Sequence, residues 1–166
     1  MWLKNNKNIE YVEDTIADQR PAESILRRGG NPPSRENHSH ELMKGTETIF
    51  VVGDHMEFLE IIRINFEDYG YNVLTAVDPY EAILICEAFA DEIHLLITDV
   101  LMPKMSGKEL YEWVRRKRPQ MKTIFVSGFA AGMLRPHGVL TDGIEFMQKP
   151  FTPEALVRRV REVLAK

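Results

Sequence analysis

An open, doubly wound α/β fold around a five-stranded parallel sheet is the architecture this sequence predicts, on two observations. From Glu47 onward, short apolar runs rich in β-branched and aromatic residues alternate with amphipathic stretches of helical length, and five such pairs fit. The run HLLITDV at 94–100 is continuously apolar, as a strand buried on both faces is. Crossovers between parallel strands are nearly always right-handed, which leaves few windings for five such units.

The first strand is TIFVV at 48–52, and a helix over 55–69 follows, with Phe58, Ile61, Ile62, Asn65 and Phe66 at helical spacing and Gly70 as its stop. YNVLTA at 71–76 is the second strand. Asp78 caps the next helix, with Pro79 at its first position, and that helix runs to about Ala90. The third strand, 94–100, carries Asp99 at its C-terminal end; the loop LMPKMSG then leads to a helix over 107–117, capped by Ser106, with Leu110, Trp113 and Val114 inward and Pro119 closing it. KTIFVSG at 122–128 is the fourth strand. The following FAAGMLRPHG, with two glycines and a proline, predicts a short or irregular helix. GIEFMQ at 143–148 is the fifth strand, and the last helix opens at Pro153 behind the cap Thr152 and runs to the C-terminus.

Composition bounds the rest. The stretch RRGGNPPSRENHSHELMKG offers little to bury and reads as linker, so residues 1–45 are expected to be a largely disordered tail and 46–166 the domain. The net charge of −4 belongs wholly to residues 46–166, because residues 1–45 carry seven basic and seven acidic side chains. No nucleic-acid footprint is expected, and the basic run Arg115–Arg118 reads as cations at a helix C-terminus. No window approaches a membrane span, and no secretion signal opens the chain, so a soluble, cytoplasmic protein is expected. Cys86 is the only cysteine, sits in an apolar run, and reads as core.

In open α/β sheets the site lies outside the carboxyl ends of the strands. The polar residues there are Asp54, Asp99, Ser127 and Lys149, each directly following an apolar strand. Two carboxylates, a hydroxyl and an ammonium make neither a hydrolytic triad nor a thiol site. They suit phosphoryl transfer: the carboxylates can hold Mg2+ and one can be the nucleophile, while the hydroxyl and ammonium meet the phosphoryl oxygens. Each residue alone has a plainer role, a helix cap for the aspartates and a turn for Ser127. Their joint occurrence in order, together with Lys149-Pro150, whose bond can adopt the cis form, favours the site.

The series TIFVVGD, LLITDVLMPKMSG, IFVSGF and FMQKPF resembles response-regulator receiver domains of two-component signalling, such as the C-terminal receivers of hybrid histidine kinases. The resemblance runs from about Thr46 to Lys166 and implies the flavodoxin-like (CheY-like) receiver fold. It implies that Asp99 is the phosphoacceptor, that Asp54, Asp99 and the backbone carbonyl of Leu101 hold Mg2+, and that Lys149 contacts the phosphate. It further implies Ser127 as switch hydroxyl and Phe146 as switch aromatic. The partners implied are a histidine kinase or histidine phosphotransfer protein, with a homodimer through the fourth helix, fifth strand and fifth helix as a further expectation. With no output domain after Lys166 in this sequence, output is expected to be protein contact, relay to a histidine, or removal of phosphate from a kinase.

One departure stands out. The acidic pair common at the end of the first strand is here Gly53-Asp54, followed by His55, so phosphorylation is expected to be slower or more demanding of Mg2+. Gly53 also leaves open a pseudo-receiver that signals without phosphate. An aspartyl-phosphate phosphatase is disfavoured, because the position of its usual acid, two after the nucleophile, is Leu101; the protein is not expected to be an enzyme. A flavodoxin-like small-ligand binder would leave the four-residue constellation unexplained. At the N-terminus, IEYVEDTIADQRPAESILRR resembles the end of a PAS sensory module; the alternative is a disordered tail with a short helix over 22–28.

Overall fold

A computed structural model describes residues 40–134 and 144–166. The PAS-like segment, and the part of FAAGMLRPHG beyond Leu134, lie outside the described residues. Five parallel strands stand in the order β2-β1-β3-β4-β5: β1 (Thr48–Val52), β2 (Asn72–Ala76), β3 (Leu95–Asp99), β4 (Lys122–Ser127) and β5 (Glu145–Gln148). The helices between and after them are α1 (Met56–Asp68), α2 (Pro79–Ala88), α3 (Gly107–Lys117), the single turn α4 (Ala131–Leu134) and α5 (Pro153–Leu164).

Side chains alternate across each strand, so β1 sends Ile49 and Val51 to one face of the sheet and Phe50 and Val52 to the other. The first face is covered by α1 through Leu59, Ile62 and Phe66 and by α5 through Leu156, Val157, Val160 and Val163. The second is covered by α2 through Ala82 and Cys86 and by α3 through Leu110 and Val114, with Trp113 packed at the margin. Cys86 is buried, as its apolar run predicts. On α1 the buried stripe differs from the expected one: Leu59 turns inward and Ile61 faces solvent. Spacing alone places two overlapping stripes on this helix, and the sheet selects the one that meets Ile49 and Val51.

The caps follow their side chains. Asp78 accepts from the backbone N–H groups of Tyr80 and Glu81. Ser106 and Glu109 form a reciprocal capping box, and Thr152 accepts from Ala155 N–H. Gly70, at φ +89°, ends α1 where an L side chain would be strained and where a Cβ would lie 2.8 Å from the Gly45 carbonyl oxygen. β2, β3 and β5 begin one or two residues later than their apolar runs. Tyr71, just before β2, donates its hydroxyl to the Met43 carbonyl, and His94, just before β3, accepts at Nδ1 from Thr48 N–H.

The parallel arrangement brings helix C-termini to the edge of the sheet where the strands begin. Cations gather there. Arg118 donates to the carbonyls of Cys86, Phe89 and Asp91, closing the end of α2. Lys122 Nζ donates to the carbonyls of Val163 and Leu164 at the end of α5. Arg161 bonds Glu47 at 2.7 Å and the Lys44 carbonyl at 3.3 Å, tying down the segment that leads into β1. Met43, in the stretch that composition reads as linker, packs against the α1–α5 core.

Candidate phosphoryl-transfer site

The order of strands reverses between β1 and β3, and a crevice opens outside their carboxyl ends, which is where ligands bind in such sheets. Asp99 ends β3 with 7% of its surface exposed. Two backbone bonds fix this strand end: Val100 N–H donates to the Val126 carbonyl and Gly107 N–H to the Val100 carbonyl. Gly107 is there because nothing larger fits, since a Cβ would lie 2.1 Å from the Asp99 carbonyl oxygen.

Lys149 reaches Asp99 from the end of β5. Its Nζ donates to Oδ1 at 2.7 Å and to Oδ2 at 3.0 Å. Its own N–H donates to the Ser127 carbonyl at 2.8 Å, and the Lys149-Pro150 bond is cis. Burial pushes the Asp99 carboxyl above its ordinary value, Lys149 pulls it back, and the negative charge of Asp54 adds to the rise. The Asp99 carboxyl therefore senses Asp54. Asp54 itself is more open and meets Nδ1 of His55 at 2.8 Å.

Ser127 is buried at the end of β4, and its hydroxyl accepts from Phe129 N–H at 3.1 Å. Leu101 stands two residues beyond Asp99 with its side chain exposed. Phe146 is half-buried against Phe125, Val100 and Leu134, on the α3–α4 side of the sheet. The structure thus joins Asp99 directly to Lys149 and couples Asp54 to it electrostatically, while Ser127 bonds its own turn and Phe146 packs one layer away.

Two features lie beyond the sequence reading. A Cβ at Gly53 would come within 2.9 Å of Asp99 Oδ2, so the Asp99 carboxylate leans into the space that a side chain there would occupy. The other is Phe58, whose ring centroid is 4.3 Å from Lys149 Nζ. Helical spacing assigns Phe58 to the core stripe of α1, and only the packing of α1 against the segment after β5 turns its face to the lysine.

Hard oxygen donors suit Mg2+, which keeps several waters and takes few protein ligands. Among the described residues no group of three or more His, Cys, Asp or Glu side chains is placed to hold a metal ion. Asp54 and Asp99, two carboxylates at neighbouring strand ends, are donors of the kind such a hydrated ion takes.

Known proteins align over the same region. Residues 49–161 match the response regulator receiver domain. The sensor kinase CckA of Brucella abortus is 30% identical over 128 residues, covering 75% of this chain and 13% of the kinase. The alkaline phosphatase synthesis transcriptional regulatory protein PhoP of Bacillus subtilis is 27% identical over 118 residues, covering 71% of this chain, which spans 48% of the regulator's length. The crystal structure of the receiver domain from the hybrid histidine kinase CckA superposes with a TM-score of 0.60 at 31% identity, covering 70% of this chain and 98% of that domain. A CheY-like receiver from Methanospirillum hungatei JF-1 superposes at 0.62 with 28% identity, covering 73% and 95%. TrrA of Thermotoga maritima, solved in complex with Mg(2+)-BeF, superposes at 0.61 with 25% identity, covering 71% and 99%. Among the described residues no helix is long and apolar enough to cross a membrane. With the sheet order, the site at its switch point and these matches together, the chain belongs to the response regulator receiver domain family of two-component signalling.

Proposed function

We propose that this chain is a phosphoacceptor receiver, in which Asp99 takes a phosphoryl group from a histidine kinase or histidine phosphotransfer protein. The observation that carries the reading is the buried Asp99 carboxylate held through both oxygens by Lys149 at the switch point of the sheet. One carboxylate oxygen attacks phosphorus, a P–O bond forms, and the P–N bond to the donor imidazole breaks with its electron pair leaving on nitrogen. Lys149 is already in place to meet the added anionic oxygens. Ser127, at the adjacent strand end, supplies a hydroxyl once it exchanges its bond to Phe129 N–H for one to the phosphoryl group. Asp54, Asp99 and the Leu101 carbonyl would hold Mg2+, which neutralises charge on the transferring group. Gly53 removes one acid from this set, so a high Mg2+ requirement is expected.

Output is proposed to be a protein contact through the face made by α4, β5 and α5, a surface also suited to a homodimer. The movement of Ser127 toward a phosphoryl group and the repacking of Phe146 against Phe125 would couple the site to that face. A second reading, the pseudo-receiver, is favoured by one observation: Gly53 stands where an acid would join Asp54 and Asp99. Intact-mass spectrometry after incubation with acetyl phosphate and Mg2+ separates the two. A single phosphoryl adduct that vanishes in Asp99→Asn supports the acceptor. No adduct at any Mg2+ concentration sinks it and leaves the pseudo-receiver.

A further inference from the structure

Lys149 is a flexible cation with three N–H donors, and the Asp99 carboxylate engages it at 2.7 and 3.0 Å. A chain with so many rotamers needs something besides its target to hold it. The Phe58 ring lies under the ammonium at 4.3 Å from the centroid. The ring is fixed in turn: it meets Phe151 edge-on at 6.1 Å and packs against the core under α1 and α5. Phe58 opens the helix that follows Asp54, and Phe151 follows Lys149 by two residues, so the ring joins the two arms of the site.

An aromatic face attracts a cation through its quadrupole, within about 6 Å of the centroid. A leucine could fill similar space but has no such face. A carbonyl or carboxylate in the same place would attract the ammonium but would take one of its N–H donors. A ring holds the charge and leaves the donors for oxygen.

We infer that Phe58 is a positioning residue for phosphoryl acceptance, its ring holding the Lys149 ammonium at the Asp99 carboxylate with its N–H groups available to the incoming phosphoryl oxygens. The inference rests on the acceptor reading above and deepens it. Two readouts on the full chain test it, with wild type, Phe58→Leu and Phe58→Tyr compared at saturating Mg2+. The first is NMR of the Lys149 methylene next to the ammonium, which a ring face shifts upfield. The second is the rate of phosphoryl adduct formation from acetyl phosphate.

In wild type the methylene resonates upfield of an exposed lysine. Phe58→Leu loses that shift and forms the adduct about threefold to thirtyfold more slowly, the range a cation–π contact spans. Phe58→Tyr, which restores the ring, recovers both. Adduct formation in Phe58→Leu at the wild-type rate overturns the inference alone, as does a Phe58→Tyr variant as slow as Phe58→Leu. No adduct on wild type overturns the acceptor reading and the inference with it.

Discussion

The two edges of the sheet use the same chemical groups in opposite ways. Where the strands begin, helix C-termini converge and present carbonyls, and Arg118, Lys122 and Arg161 are spent on them. Where the strands end, helix N-termini converge and carboxylates gather: Asp54, Asp78 and Asp99. The polarity of a parallel α/β fold favours cations where the helices end, and the carboxylates at that edge, Glu47 and Glu145, are paired with them. Two cations stand at the carboxylate edge: Lys104 lies 3.6 Å from Asp78, and Lys149 faces Asp99. One edge is closed by its ion pairs; the other keeps an acidic group under strain from burial and a like charge.

Breaking the closed edge should cost stability and leave phosphorylation untouched. Arg118→Ala removes the donor to three carbonyls at once and is expected to lower unfolding free energy by about 3 kcal/mol in urea titrations. Arg118→Lys should recover little, because a single ammonium does not span the guanidinium's fork. Gly45→Ala tests the lead-in beside it. Its Cβ would lie 2.3 Å from the Tyr71 ring, so a loss of about 2 kcal/mol is expected by the same method.

Acid titration should then separate the edges by sign. Glu47 is held below its ordinary value of 4.5 by Arg161 and nearby backbone N–H groups, although burial opposes them. A lowered carboxylate stabilises the fold above its unfolded pKa, and that contribution disappears as pH falls through the folded value. Glu47→Gln should therefore cost about 0.5 to 1 kcal/mol at neutral pH and nothing at the acid end, the pair being partly exposed and screened. Asp99 behaves in reverse. Its folded value is raised above 3.8, chiefly by burial, so its contribution is full below 3.8 and is lost as pH rises through the folded value. In metal-free buffer, the stability of wild type relative to Asp99→Asn should fall with rising pH across that window, the smallest of these effects. A difference that rises with pH would show that Lys149 outweighs burial.

How much of this the sequence made legible depends on how far apart the partners lie. The five strands and their order of helices were readable because the apolar runs stand apart and three of the helices carry side-chain caps, at Asp78, Ser106 and Thr152. Asp54, Asp99, Ser127 and Lys149 were readable as a group because a parallel sheet delivers every strand end to one edge. Ile61 and Leu59 exchanged places because a period of 3.6 does not say which of two adjacent stripes meets the sheet. Phe58 over Lys149 and Arg161 on Glu47 join residues about ninety and more than a hundred positions apart, each with an ordinary local role that hides the other.

Gly53 has a consequence for how this chain can change over generations. Because Oδ2 of Asp99 rests 2.9 Å from where a Cβ at 53 would lie, a side chain added there requires that carboxylate to turn aside. Turning it would also alter its two bonds to Lys149. The glycine and the resting position of the Asp99 carboxylate are thus linked, and a substitution at 53 is felt first at Asp99.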